Sequence, residues 1–175
     1  MSLTLVLGGA RSGKSRYAQQ AAHAWAQARG VVPTFIATAT GDDEEMADRI
    51  ARHQLDRGGL WRTLEAPLAL AETLAGLGPE DVAVVDCLTL WLSNSMAEAT
   101  GNVARIEALV PALSACRARL WAVSNEVGWG IVPDNALARR FRDAAGALHQ
   151  NIARVADEAV LIVAGLPMIL KASAG

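Results

Sequence analysis

The sequence predicts one α/β domain whose mainly parallel sheet is covered by helices on both faces. Three observations carry this expectation. Short apolar runs alternate with stretches of helical periodicity along the chain, a glycine-rich turn follows the first apolar run, and polar or acidic residues recur just past the ends of later ones. Units of this kind cross over right-handed and bury both sheet faces. Their ligands sit beyond the carboxyl ends of the strands. With 175 residues, 52% hydrophobic and 19% charged, the chain has enough for one compact domain, residues 1–175, with a substantial core.

The first element is the apolar run Leu3-Thr4-Leu5-Val6-Leu7, read as a buried parallel strand. It runs into Gly8-Gly9-Ala10-Arg11-Ser12-Gly13-Lys14-Ser15, a G-x-x-x-x-G-K-S phosphate-binding loop. Ala18, Ala21, Ala22 and Trp25 then recur at helical spacing, so strand, loop and helix stand in the order the motif requires. Gly8 and Gly13 let successive amide N–H groups turn inward around an anion, and the helix start adds its unpaired donors and positive dipole end. Lys14 can reach the β- and γ-phosphates, and the Ser15 hydroxyl can hold Mg²⁺. The bland alternative, a chance turn in a chain carrying 15 glycines, does not account for the flanks on both sides. A phosphate-loop NTPase domain of RecA-like architecture that binds a nucleoside triphosphate follows.

The remaining elements come in order. Thr34–Thr38 is a strand ending in the small polar run Thr38-Ala39-Thr40-Gly41. Asp42 as N-cap with Glu45 three positions on predicts a helix running to about Arg57 and stopping at Gly58-Gly59. Leu60–Glu65 alternates as a short strand, and Pro67 opens a helix through Leu77. Asp81–Asp86 is an apolar strand closing on a carboxylate, the Walker B pattern. Leu88 starts a helical stretch, and Val103–Cys116 is another helix. Leu120–Ser124 is a strand leading into the loop Asn125–Pro133. A long helix after Asp134 carries Leu137, Phe141, Ala145, Leu148, Ile152 and Val155 on one stripe, and Ala159–Val163 is expected to close the sheet as the last strand.

Composition excludes several function classes. The net charge of −2 leaves no basic footprint for nucleic acid or an anionic membrane. No apolar run is long enough to span a bilayer, and no signal peptide is expected before the first strand. Cys87 and Cys116 lack metal-ligand spacing, so two thiols suggest a cytoplasmic protein, with Cys87 a buried small hydrophobe.

Several residues could carry chemistry. Asp86 either holds Mg²⁺ beside Ser15 or caps the next helix. Asn94 either fixes substrate or is a surface amide. Glu126 either holds a hydroxyl or metal or is a solvated loop carboxylate. Trp129 lines a pocket or anchors its loop, and Arg11 touches phosphate or points to solvent. His23 and His149 lie beside the apolar stripes of their helices and read as ordinary surface or boundary residues. His53 shares a helical face with Met46 and Ile50, a face expected to look toward the phosphates. An imidazole there is either a satisfied structural histidine or a base or covalent nucleophile on phosphorus. On these residues alone, a plain small-molecule kinase and a nucleotide switch or motor subunit also stay open.

Longer segments narrow the choice. GGARSGKS at 8–15, FIATAT at 35–40, DDEEMADRIARHQ at 42–54, WRTLE at 61–65, VVDCLTLWLSN at 84–94 and the long stretch from SNEVGWGIVP to VAGLP at 124–167 cover most of the chain. In these the chain resembles the bifunctional adenosylcobinamide kinase/adenosylcobinamide-phosphate guanylyltransferase family of cobalamin biosynthesis. The phosphate loop alone is generic, whereas RIARHQ, WRTLE and NEVGWGIVP are specific to that family. The resemblance implies phosphorylation of the aminopropanol hydroxyl of adenosylcobinamide from ATP or GTP. GMP from GTP then passes through a histidine to the new phosphate of adenosylcobinamide phosphate. It implies His53 as the guanylylated residue, and chemically Lys14 would join it in catalysis by neutralising phosphate charge during the attack. Nucleotide contacts are implied at Gly8, Gly9, Ala10, Arg11, Ser12, Gly13, Lys14, Ser15, Thr38, Ala39, Thr40, Gln54, Leu55, Asp56, Arg57, Glu65 and Asp86. Mg²⁺ would be held through the nucleotide by Ser15 and Asp86, and the family's trimer implies a homo-oligomer. Some members carry paired histidines here; this chain has Arg52-His53, leaving a single candidate.

Overall fold

The run predicted as the first strand becomes β1 (Ser2–Gly8) in the computed structural model, which describes residues 2–40, 60–98 and 102–172. After it come α1 (Lys14–Gln27), β2 (Thr34–Ala37), β3 (Arg62–Glu65), α2 (Leu70–Ala75), β4 (Val82–Asp86), α3 (Leu88–Ala97) and α4 (Asn102–Ala115). β5 (Arg119–Asn125), α5 (Ala136–Val155), β6 (Glu158–Val163) and β7 (Leu166–Lys171) complete the order. The helix expected over Asp42–Arg57 lies outside the described residues.

The seven strands form one sheet in the order β3-β2-β4-β5-β1-β6-β7. All neighbours are parallel except β6 and β7. The expectation that Ala159–Val163 closes the sheet is corrected by β7. A two-residue turn, Ala164-Gly165, with φ 52° and 80°, folds the chain straight back. Positive φ at both central residues gives the twist that a tight hairpin needs, but the first of them is an alanine. The turn therefore carries none of the usual Asn-Gly or Asp-Gly signal.

Alternation along each strand splits the core in two. Leu3, Leu5 and Leu7 of β1 join Leu120 and Ala122 of β5 against α2, α3, α4 and α5. Val6, Val84, Val123 and Val160 face the other way, onto Ala18, Ala22 and Ala26 of α1. Small residues on α1 let it lie close to the central strands, where its first turn meets the end of β1. Trp91 of α3 is fully buried and its indole N–H donates to Leu68 O at 3.0 Å. Burying about 200 Å² of indole at about 25 cal/mol/Å² is worth about 5 kcal/mol, against about 1 kcal/mol for the hydrogen bond. Packing therefore holds α3 in place, and the hydrogen bond sets the ring's direction.

Candidate functional site

Six strand ends meet on one rim, and β1 supplies the phosphate loop. Gly8 pairs with Asn125 of β5 on one side and Ile162 of β6 on the other. A methyl group on Gly8 would overlap Ser12 Oγ and stand 2.8 Å from the Ile162 carbonyl oxygen. Only glycine lets the loop curl back so tightly. Gly13, at φ 95°, makes the left-handed step into α1, and Arg11 is also left-handed at φ 56°. Ser12 N donates to Gly9 O at 3.3 Å, and Tyr17 N to Gly13 O at 2.9 Å as the helix begins. Lys14 is buried, with Nζ donating to Gly9 O at 3.1 Å across the mouth of the loop. The β6–β7 turn braces the loop from outside, Gly165 N donating to Ser12 O at 2.9 Å.

Next along the rim, β4 ends at Asp86, which pairs with Ala37 of β2 and Val123 of β5. Asp86 is half-buried. Thr38 follows β2 and is fully buried, its Oγ1 donating to Cys87 O at 2.7 Å and accepting from Cys87 N at 2.8 Å. Asn94 Nδ2 donates to Thr38 O at 2.8 Å and Pro67 O at 3.2 Å, so this amide pins two loops together. Ala39 and Thr40 stay half-buried at the rim, and exposed Glu65 ends β3 opposite Ala37. Cys87 is buried as expected, and burial pushes its thiol pKa up. Asn125 Nδ2 donates to Thr89 Oγ1 at 2.7 Å, tying the end of β5 to α3.

The reading of His149 as a surface or boundary residue is corrected. His149 is only 6% exposed. Its Nε2 lies 2.7 Å from Ser124 Oγ, and its Nδ1 lies 3.2 Å from Glu126 Oε1. Glu126 is thus neither fully solvated nor free to swing. Burial lowers the imidazole pKa from its ordinary 6.5, and the neighbouring Glu126 carboxylate pulls the other way. A neutral ring satisfies every contact when Nδ1–H donates to Glu126 and Nε2 accepts the Ser124 hydroxyl proton. Helical phase held the signal: Ala145, Leu148, His149 and Ile152 are all buried and stand at i, i+3, i+4 and i+7. His23, on α1, is half-buried, a boundary residue as read.

The rim therefore gathers Gly8–Ser15, Thr38–Thr40, Glu65, Asp86 and Glu126, while His53 and Gln54–Arg57 lie outside the described residues. Ser12 Oγ is buried without a hydrogen-bond partner among the described residues, a donor that the oxygens of a bound phosphate would satisfy. The Ser15 hydroxyl one turn away and the Asp86 carboxylate are hard oxygen ligands of the kind Mg²⁺ takes alongside nucleotide phosphates. Among the described residues no cluster of three His, Cys, Asp or Glu could hold a metal by itself, and no helix is long and apolar enough to cross a membrane.

The model of the cobinamide kinase / cobinamide phosphate guanyltransferase family matches residues 4–170. The bifunctional adenosylcobalamin biosynthesis protein CobP of Pseudomonas aeruginosa is 46% identical over 172 residues, covering 95% of this chain and 96% of that protein. The bifunctional adenosylcobalamin biosynthesis protein CobU of Escherichia coli is 37% identical over 185 residues, covering 97% and 99%. Among solved structures, the flagellar accessory protein FlaH from Methanocaldococcus jannaschii superposes with a TM-score of 0.55 at 16% identity, covering 98% of this chain and 79% of that one. That likeness is one of fold.

Two outcomes follow from the geometry. Gly8→Ala should weaken nucleotide binding by at least about ten-fold, because the added methyl displaces Ser12 or the β6 backbone; titration calorimetry reads it, and unchanged affinity would contradict the tight curl. The lowered pKa of His149 makes folding sensitive to acid. As pH falls below about 6.5 the unfolded imidazole takes up a proton and the folded one does not, so the unfolded state gains. Between pH 7.5 and 5.5 the urea midpoint should fall further for wild type than for His149→Gln; equal falls would show that the buried imidazole is not the cause.

Proposed function

The chain belongs to the cobinamide kinase / cobinamide phosphate guanyltransferase family, and from that premise we propose that one nucleotide site performs both reactions. In the first, the aminopropanol hydroxyl of adenosylcobinamide takes the γ-phosphate of ATP or GTP. In the second, GMP from GTP moves to His53 and then to the new phosphate, giving adenosylcobinamide-GDP and pyrophosphate. The observation that carries this reading is a full-length likeness to bifunctional relatives in a chain whose own phosphate loop is intact.

The residues are suited to those tasks. Loop amides from Gly9 to Ser15 and the Lys14 ammonium offset charge on the phosphates, which is most of what a phosphoryl-transfer site must do. Mg²⁺, held through Ser15 and Asp86, supplies further neutralisation when bound. In the guanylyl step an imidazole nitrogen of His53 attacks the α-phosphorus while the bond to the bridging oxygen breaks and pyrophosphate leaves. The corrinoid phosphate then attacks the same phosphorus and breaks the N–P bond. The phosphoramidate splits GMP transfer into two easier displacements. Thr38–Thr40, Gln54–Arg57 and Glu65 are proposed to hold the guanine nucleotide.

A cytoplasmic setting is proposed from the two free, buried thiols. A homo-oligomer, trimeric by family resemblance, is proposed with support from β7, which pairs only with β6 among the described residues. Leu166, Met168, Ile169 and Leu170 are more than half exposed there, an apolar stretch that another copy could cover.

Incubation with α-labelled GTP should give an acid-labile, alkali-stable protein adduct that His53→Ala abolishes; an unlabelled wild type, or a labelled variant, would remove the histidine intermediate. Light scattering should report about three times the 18.4 kDa chain mass. A monomer would remove the oligomer.

A further inference from the structure

The order of the sheet places β5 between the phosphate-loop strand β1 and the strand that delivers Asp86. Whatever leaves the carboxyl end of β5 therefore enters the gap between loop and carboxylate. Asn125 is already spent on Thr89. The next residue is Glu126, whose backbone N–H donates to Gly8 O at 3.0 Å and so docks onto the first residue of the loop. Its side chain is 19% exposed, and Oε1 is held by His149 Nδ1. Oε2 faces Gly128, where an added Cβ would make only ordinary contact at 3.8 Å.

Behind the carboxylate, the line Ser124–His149–Glu126 runs from a fully buried hydroxyl to the rim. Burying three polar groups is poor design for stability alone, since apolar side chains of the same volume would usually serve better. What the line does accomplish is to fix one carboxylate oxygen and leave the other without a partner among the described residues. We propose that Glu126 is the general base of the phosphoryl-transfer half-reaction, with His149 and Ser124 as its positioning residues. This rests on the kinase reading above. The free carboxylate oxygen accepts the proton of the substrate hydroxyl as that oxygen bonds to the γ-phosphorus. The bond from phosphorus to the β,γ-bridging oxygen breaks, its electron pair leaves with the nucleoside diphosphate, and the proton then passes from Glu126 to solvent. Asp86 would then be left to hold Mg²⁺.

The test measures γ-phosphate transfer from ATP to adenosylcobinamide by wild type, Glu126→Gln, His149→Ala and His149→Asn, beside nucleotide affinity and melting temperature. Glu126→Gln is isosteric and should lower kcat about 100-fold, toward the smaller end of general-base effects because the transition state is loose, with nucleotide affinity within about two-fold. His149→Ala should lower kcat about ten-fold or more. His149→Asn, whose amide N–H falls near the imidazole Nδ1, should recover part of that loss, which a merely structural histidine would not predict. A Glu126→Gln enzyme within about three-fold of wild-type kcat overturns the base assignment and leaves the kinase reading standing. Equal kcat for His149→Asn and His149→Ala overturns the positioning role. A wild type that forms no phosphate ester removes the kinase reading and the base with it.

Discussion

Gly8 has room for a hydrogen atom and nothing more, and most of the site is arranged by that fact. Because Ser12 folds back over it, the loop closes around a small space, and Lys14 spans its mouth to Gly9. Because Ile162 presses from the other side, β6 must lie alongside β1 to the very end of the strand. The backbone here is wedged between two neighbours. A phosphate site made of amide groups depends on such wedging, since N–H dipoles offset charge efficiently only when they need not reorganise.

How much of this was legible in the sequence depended on whether the determining contacts were local. The phosphate loop, its flanking strand and helix, and the carboxylate closing β4 are spelled out over a few adjacent residues, and these agree with the fold. Asn94 could not be read from its own neighbourhood, because its partners, Thr38 and Pro67, come from distant loops. His149 was misjudged for a related reason. A polar side chain on the edge of an apolar stripe looks like a boundary residue until Ser124 and Glu126, more than twenty residues away, supply its hydrogen bonds. β7 was missed because the turn before it lacks the residues that normally announce a hairpin.

The two faces of the sheet have different tasks. One carries α2 to α5 and most of the bulky core, including Trp91. The other receives α1 on alanines, and this close, flat contact aims the start of that helix at the end of β1. Bulk holds one side together, and smallness aims the other. His149 joins the two functions: it sits in the packed layer on α5 yet reaches a carboxylate on the rim, so the interior and the reactive edge share one hydrogen-bonded line.

The border strand has a consequence for the making of the protein. An apolar strand with an unpaired edge invites neighbouring chains to add on while they are being synthesised, the usual route to inclusion bodies. Here that strand begins Leu166-Pro167 and ends at Lys171, whose ammonium is anchored on the carbonyls of Ala153 and Arg154 at the end of α5. The proline has no N–H to offer an intruder, and the lysine's charge is held back against the carbonyls that end α5. Pro167 thus blunts strand addition at the start of that edge, and leaves the exposed apolar side chains rather than the backbone as the surface another copy could cover.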